Sequence, residues 1–158
     1  MPTIYDAIKK DHDEHRNLLK TIADGSKDAD ARRKAWDRFY HDVKAHAAAD
    51  EETFYSKLIS KTWGQDAARH SVHEHKQLDD LMEELNKMSI KDDGWQDKFG
   101  KLKHDYEHHI DEEEGDVFKR AREVIDDAEI EGYGDRFLKR KSEEAGLIDE
   151  KREDSLED

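Results

Sequence analysis

His46 and Asp50 stand one helical turn apart inside the stretch KAHAAADEETFY, from Lys44 to Tyr55. Around them Trp36, Phe39, Val43, Phe54 and Leu58 recur at three- and four-residue steps, which is the period of a helix with one apolar face. The histidine and the carboxylate therefore point toward a core, where an unpartnered carboxylate is costly and must be neutralised. A matching stretch in the second half, KLKHDYEHHIDEEEGDVF, leads with Phe99, Leu102 and Tyr106 up to His109 and continues into acidic residues. Two helices that each aim a histidine and a carboxylate inward can share a cation.

The two halves repeat at an offset of 63 residues: His12 maps to His75, His46 to His109, Asp11 to Glu74, Leu18 to Leu81, Ile22 to Leu85, Trp36 to Phe99, Phe39 to Leu102 and Val43 to Tyr106. Helical periodicity alone rarely preserves core positions and two histidines together. Each half then reads as a helical hairpin with one inward histidine on each helix, and four such histidines meet near a pseudo-twofold axis. After His109 the strict offset pairs Asp50 with Glu113. The aromatic match of Phe54 with Phe118 lies one residue further and selects Glu114. Glu114 is the carboxylate preferred here and Glu113 the reserve, with the extra residue absorbed by a π-bulge near Gly115.

Four imidazoles and two carboxylates suit a first-row transition metal better than calcium or magnesium, which prefer shells of oxygen alone. One histidine from each of four helices does not saturate two octahedral metals. Bridging carboxylates and a solvent-derived ligand complete most of the shell and leave a position for a small molecule. That is the logic of a non-haem di-iron site in a helix bundle, open to dioxygen or peroxide.

The elements that must position these groups are legible from the same periodicity. A first helix follows Thr3, with Ile4, Ile8, His12, His15, Leu19 and Ile22 inward, and ends at Asp24-Gly25-Ser26. A second begins near Asp28 or Asp30 and runs to about Ser60, with Gly64 marking the break. A third carries Ala68, Val72, His75, Leu78, Met82 and Leu85. A fourth runs from about Trp95 past Gly115 to about Asp127. The expected fold is all-α: an up-down-up-down four-helix bundle over residues 1–127. Residues 128–158 form a charged tail with one short helix at about 135–144, anchored by Phe137 and Leu138, and a frayed final ten residues.

Composition bounds what such a chain can do. Leu, Ile, Val and Phe make up less than a fifth of the 158 residues, so the core is thin and bound metal adds to its stability. No cysteine is present, which excludes disulfides, zinc-thiolate sites and iron–sulfur clusters. A formal net charge of -14 argues against nucleic acid and anionic membranes as partners. No apolar run has membrane-spanning length and no signal-like segment opens the chain, so a cytoplasmic protein is expected, its protein partner unspecified.

With Asp11-His12, His46 followed by Asp50 and Phe54-Tyr55, Glu74-His75, and His108-His109-Ile110 followed by EEEGDVF, the chain resembles the hemerythrin-like, HHE cation-binding domains over about residues 4–125. The resemblance implies a four-helix bundle binding non-haem iron, as two oxo- or hydroxo-bridged ions per chain, with manganese or zinc as alternatives. It implies the ligands His12, His46, Asp50, His75, His109 and Glu114, and a protein that binds dioxygen for sensing, storage or delivery, or an enzyme that consumes peroxide. Two residues depart from the family pattern: Asp50 stands where glutamate is usual, which leaves Glu51 as a substitute, and Asp79 stands where oxygen carriers have a further histidine. Asp79 is then a weak extra ligand or an acceptor for a ligand histidine. His15, His41, His70, His73, His104 and His108 read as surface or hydrogen-bonded residues. His15 competes with His12, and His104 and His108 form an HxxxH pair. No Glu-x-x-His motif occurs, which disfavours a ferritin-like oxidase.

Overall fold

In a computed structural model, which describes the backbone of residues 2–157 and the side chains of residues 2–148, the described residues are helical with no strand. Helix α1 spans Ile4–Ala23 and starts at Thr3, whose side chain accepts from the Asp6 N–H while Asp6 accepts from the Thr3 N–H. That reciprocal capping box satisfies two backbone donors that the first turn leaves open. Helix α2, Ala29–Ala49, is capped by Asp28 and runs without interruption into a π-helical segment, π1, Asp50–Tyr55, and one further turn, α3, Ser56–Leu58. Helix α4 spans Thr62–Asn86. Helix α5, Asp93–Glu112, continues through a second π-segment, π2, Glu113–Val117, into α6, Phe118–Val124. A single turn, α7, Asp127–Ile130, leads to α8, Tyr133–Glu157.

α1 packs against α2 and α5, and α4 packs against α5 and α2. The apolar side chains fall into two separate clusters. Ile4, Ile8, Phe54, Leu58, Phe118 and Phe137 belong to one. Leu19, Phe39, Leu85, Trp95, Phe99 and Leu102 belong to the other. The sequence positions between them along α1, α2 and α5 are those of the inward histidines, so the polar groups form a belt between two apolar ends.

Several boundaries differ from the sequence reading for physical reasons. Gly64 lies inside the first turn of α4 instead of breaking a helix, and a Cβ there would meet the Leu58 carbonyl oxygen at 1.8 Å. The glycine is what lets α4 cross so close to the end of α3. Val72, expected inward, is 47 % exposed, and Leu138, expected as an anchor, is 44 % exposed, whereas Phe137 is fully buried. The tail helix is longer than the expected ten residues and packs along α2 and α1. The expected fraying of the last ten residues falls on positions whose side chains lie outside those described.

Candidate metal centre

The centre assembles from repeat-related pairs. His46 on α2 and Asp50 at the start of π1 lie four residues apart, as do His109 on α5 and Glu113 at the start of π2. Both π-segments begin at the inward carboxylate, and each adds a residue per turn there, which rotates the following side chains relative to an α-helix. In the first hairpin both Phe54 and Tyr55 are thereby buried. Because both halves carry the insertion, the offset of 63 holds past it, and the counterpart of Phe118 is Tyr55, not Phe54. The aromatic match that selects Glu114 is therefore out of register, and the reserve, Glu113, is the carboxylate that turns inward. Glu113 is 1 % exposed, and its Oε1 lies 3.3 Å from His12 Nε2 while Oε2 lies 4.0 Å from His109 Nε2. One carboxylate thus faces histidines from both hairpins. Tyr55 donates its hydroxyl to Glu113 Oε2 at 2.5 Å. Glu114 instead accepts from the outer nitrogen of His12, at 2.8 Å, and from Arg16 at 2.7 Å.

Each of the four histidines places Nδ1 on a carboxylate. His46 Nδ1 meets Asp11 at 2.7 Å and His109 Nδ1 meets Glu74 at 3.0 Å, a repeat-related pair. His12 Nδ1 meets Glu114 and His75 Nδ1 meets Glu51, both at 2.8 Å, a second such pair. An ionised carboxylate only accepts, so these contacts place a proton on Nδ1 and turn Nε2 of each ring inward. The consequences are visible in the interior: His12 Nε2, His46 Nε2, both oxygens of Asp50 and Glu113 Oε1 have no hydrogen-bond partner. His75 Nε2 and His109 Nε2 face each other at 3.0 Å. Imidazole nitrogens oriented inward by outer carboxylates, beside the buried carboxyl groups of Asp50 and Glu113, are the donor set of a first-row metal site. The residues present fit the group, and His12, His46 and Glu113 already lie close enough to share one ion.

The electrostatics reflect acids and bases crowded together in the interior. Burial, reinforced by the charge of Glu113, holds the Asp50 carboxyl well above the usual range. Burial acts against the ionised form of Glu113 too, but His12 and His109 outweigh it and hold that carboxylate well below the usual range. Burial lowers His46 to about 4, against the pull of Asp11. His12 is raised, because Glu113 and Glu114 outweigh its desolvation.

Residues outside the centre take distinct places. His15 is buried, but both its nitrogens are engaged, Nδ1 with the Tyr106 hydroxyl at 2.5 Å and Nε2 with Asp42 at 2.6 Å, so it does not compete with His12. Asp79 pairs with Lys44 at 3.1 Å, and Glu51, not Asp79, is the acceptor for His75. His104 and His108 are exposed on α5. Two contributors escaped the sequence reading. Tyr55 has no repeat-related tyrosine, its counterpart being Phe118. Lys141, in the charged tail, reaches Asp11 and Asp42 at 2.9 Å each and so supports the carboxylates that orient His46 and His15. For Glu51 and Glu114 a signal did exist, since the offset of 63 relates them to each other.

The family model of the hemerythrin HHE cation binding domain matches residues 3–121. The chain belongs to the hemerythrin HHE cation-binding domain family. Within it, the chain is similar in structure to a hemerythrin HHE cation binding domain-containing protein from Mycobacterium kansasii, with a TM-score of 0.79 and 26% identity, covering 93% of this chain and 90% of that one. It is also 26% identical over 139 residues to a DNA nickase of Nostoc sp., covering 88% of this chain but 39% of that protein. As an HHE domain the chain is a cation-binding, all-helical protein, and among its described residues no helix is long and apolar enough to cross a membrane.

Proposed function

We propose that this HHE protein is an up-down-up-down four-helix bundle that holds two iron ions between His12, His46, Asp50, His75, His109 and Glu113 and takes dioxygen or a related small oxidant. The observation that carries this reading is the ring of four imidazoles, each with Nδ1 on a carboxylate, around unpartnered oxygens of Asp50 and Glu113. The cyclic packing of α1, α2, α4 and α5 supports the bundle. Iron bound there supplies a reversible redox couple and an open coordination position. The protein's part is to fix the rings, to let one carboxylate face both hairpins, and to admit a small molecule. For admission, a cavity of about 420 Å³ between α2 and α4, lined by Val43, Ala47, Leu78 and Met82, reaches His46, His75 and His109. Those four side chains give an apolar stretch, beside the charged Lys44, Glu51, Lys76, Asp79 and Glu144, along which a small neutral oxidant can pass. The DNA-directed activity named for the Nostoc relative is not carried over, because a formal charge of -14 repels a phosphate backbone.

A second reading, peroxide consumption, is favoured by one feature. Four carboxylate-bonded imidazoles are more basic donors than free ones and stabilise the oxidised metal, which suits oxidant turnover over reversible carriage. Metal analysis of untagged, iron-grown protein tests the common ground, with two irons per chain expected and none overturning it. Titration with dioxygen and peroxide then separates the two readings: a reversible adduct spectrum indicates binding, and sustained peroxide loss indicates an enzyme.

A further inference from the structure

A second group of ligating side chains, all from the second hairpin, lies outside the buried centre. His70 Nε2 stands 3.1 Å from Glu74 Oε1 and 3.4 Å from Glu112 Oε1. One ligand atom from each falls within 4.8 Å of the others, a spacing at which a single ion touches all three. The second oxygen of Glu112 lies 3.6 Å from His108 Nε2.

These residues line a cavity of about 400 Å³ whose walls include Asp66 and Asp116 and whose buried end is His109 and Glu113 of the centre. Ser71, 2 % exposed and with a side-chain oxygen that has no hydrogen-bond partner, stands in the wall of the same cavity. The one guanidinium in its wall, on Arg120, pairs with Glu123 at 3.1 Å. The carboxylates among its walls raise the local concentration of cations.

The geometry points to a capture site for a divalent first-row metal ion at His70, Glu74 and Glu112, from which the ion passes along this cavity to His109 and Glu113. The inference rests on the paired-metal reading for its destination. One imidazole and two carboxylates select a transition metal over calcium or magnesium, and three partly exposed ligands release it again. Glu74 links the two sites, since the oxygen that faces His70 also accepts from His109 Nδ1. The first hairpin's outer acids, Asp11, Glu14 and Asp42, also lie close together, but they bring no histidine and Lys141 pairs with Asp11 and Asp42. At the repeat-related positions that hairpin carries Ala7 for His70 and Ala49 for Glu112, both buried, and Asp11 for Glu74, which is closed off by the ammonium of Lys141.

The test uses the full, untagged chain stripped of metal and loaded with Co²⁺ alone, followed by its visible absorbance. Wild type should take up two ions per chain into the centre and a third, weaker one detected by equilibrium dialysis. His70→Ala and Glu112→Gln should still reach two, lose the third, and load about tenfold more slowly at limiting Co²⁺. Glu84→Gln, which removes one exposed charge elsewhere on α4, should load at the wild-type rate. Equal loading rates in wild type, His70→Ala and Glu112→Gln, with no third ion in any, overturn the capture site and leave the paired centre standing. Wild type that stays below two ions at saturation overturns both.

Discussion

The two hairpins use the same histidines and the same inward carboxylates, yet they treat the acid behind each α2 or α5 histidine in opposite ways. Behind His46, Asp11 is 6 % exposed, bonded to Lys141 and covered by α8, with the Phe137 ring 5.4 Å from the His46 ring. Behind His109, Glu74 faces the exposed His70 and an acidic cavity. The inner ring of donors is thus nearly symmetric and its surroundings are not. A duplicated hairpin supplies ligands in matched pairs, and the added C-terminal helix then closes one face of the centre and leaves the other open.

The matched part of the comparison is the easiest to break. His46→Ala and His109→Ala should each bring iron content below two per chain and lower the melting temperature of the loaded protein toward that of the metal-free form, read by elemental analysis and calorimetry. Unequal losses would mean that the two halves contribute differently to the centre itself. Glu113→Gln should do the same, whereas Glu114→Gln, at a residue that meets Arg16 and only the outer nitrogen of His12, should weaken metal affinity about 10- to 100-fold without abolishing it. A reversed order in a metal competition titration would return Glu114 to the centre.

The unmatched part appears in metal-free protein. Lys141→Met leaves the buried Asp11 and the half-buried Asp42 without their shared ammonium and should lower unfolding free energy by about 2 kcal/mol in urea, with Lys141→Arg recovering most of it. His70→Ala, an exposed pair, should cost less than about 0.5 kcal/mol. Equal costs would show that α8 does not brace the first hairpin through charge. A smaller effect concerns pH. Burial opposes ionisation of Asp42, but His15 and Lys141 outweigh it and hold its carboxyl well below the usual range. Its contribution is therefore full above about pH 4, the unfolded value, and is lost as pH falls toward the folded one. Asp42→Asn should flatten the acid limb of a circular-dichroism titration below about pH 4. His104→Ala, on the exposed face of α5, should change neither metal content nor stability.

Much of this was legible before any tertiary contact was known. Thr3, Asp28 and the three- and four-residue apolar steps place the helices to within a few residues, and the offset of 63 picks out His12, His46, His75 and His109 as one set. Those signals are local, since capping and periodicity are properties of a segment and its own backbone. The choice between Glu113 and Glu114 was not local. It depended on a π-turn in both hairpins, and a helix that admits one extra residue leaves no mark in composition. The outer carboxylates were half legible, because the repeat relates Asp11 to Glu74 and Glu51 to Glu114 but does not say which ring nitrogen they meet.

The amino-acid sequence by itself determined a thin helical core interrupted by four inward histidines and two inward carboxylates, a donor set that water and apolar packing leave unsatisfied. Only the tertiary structure decided which carboxylate spans the hairpins, that α8 lies along α2 and α1, and that Lys141 meets Asp11 across 130 positions of the chain. A lysine in a run of charges carries no signal of its partner. Its role exists only where folding brings two carboxylates together with too little water to stabilise both.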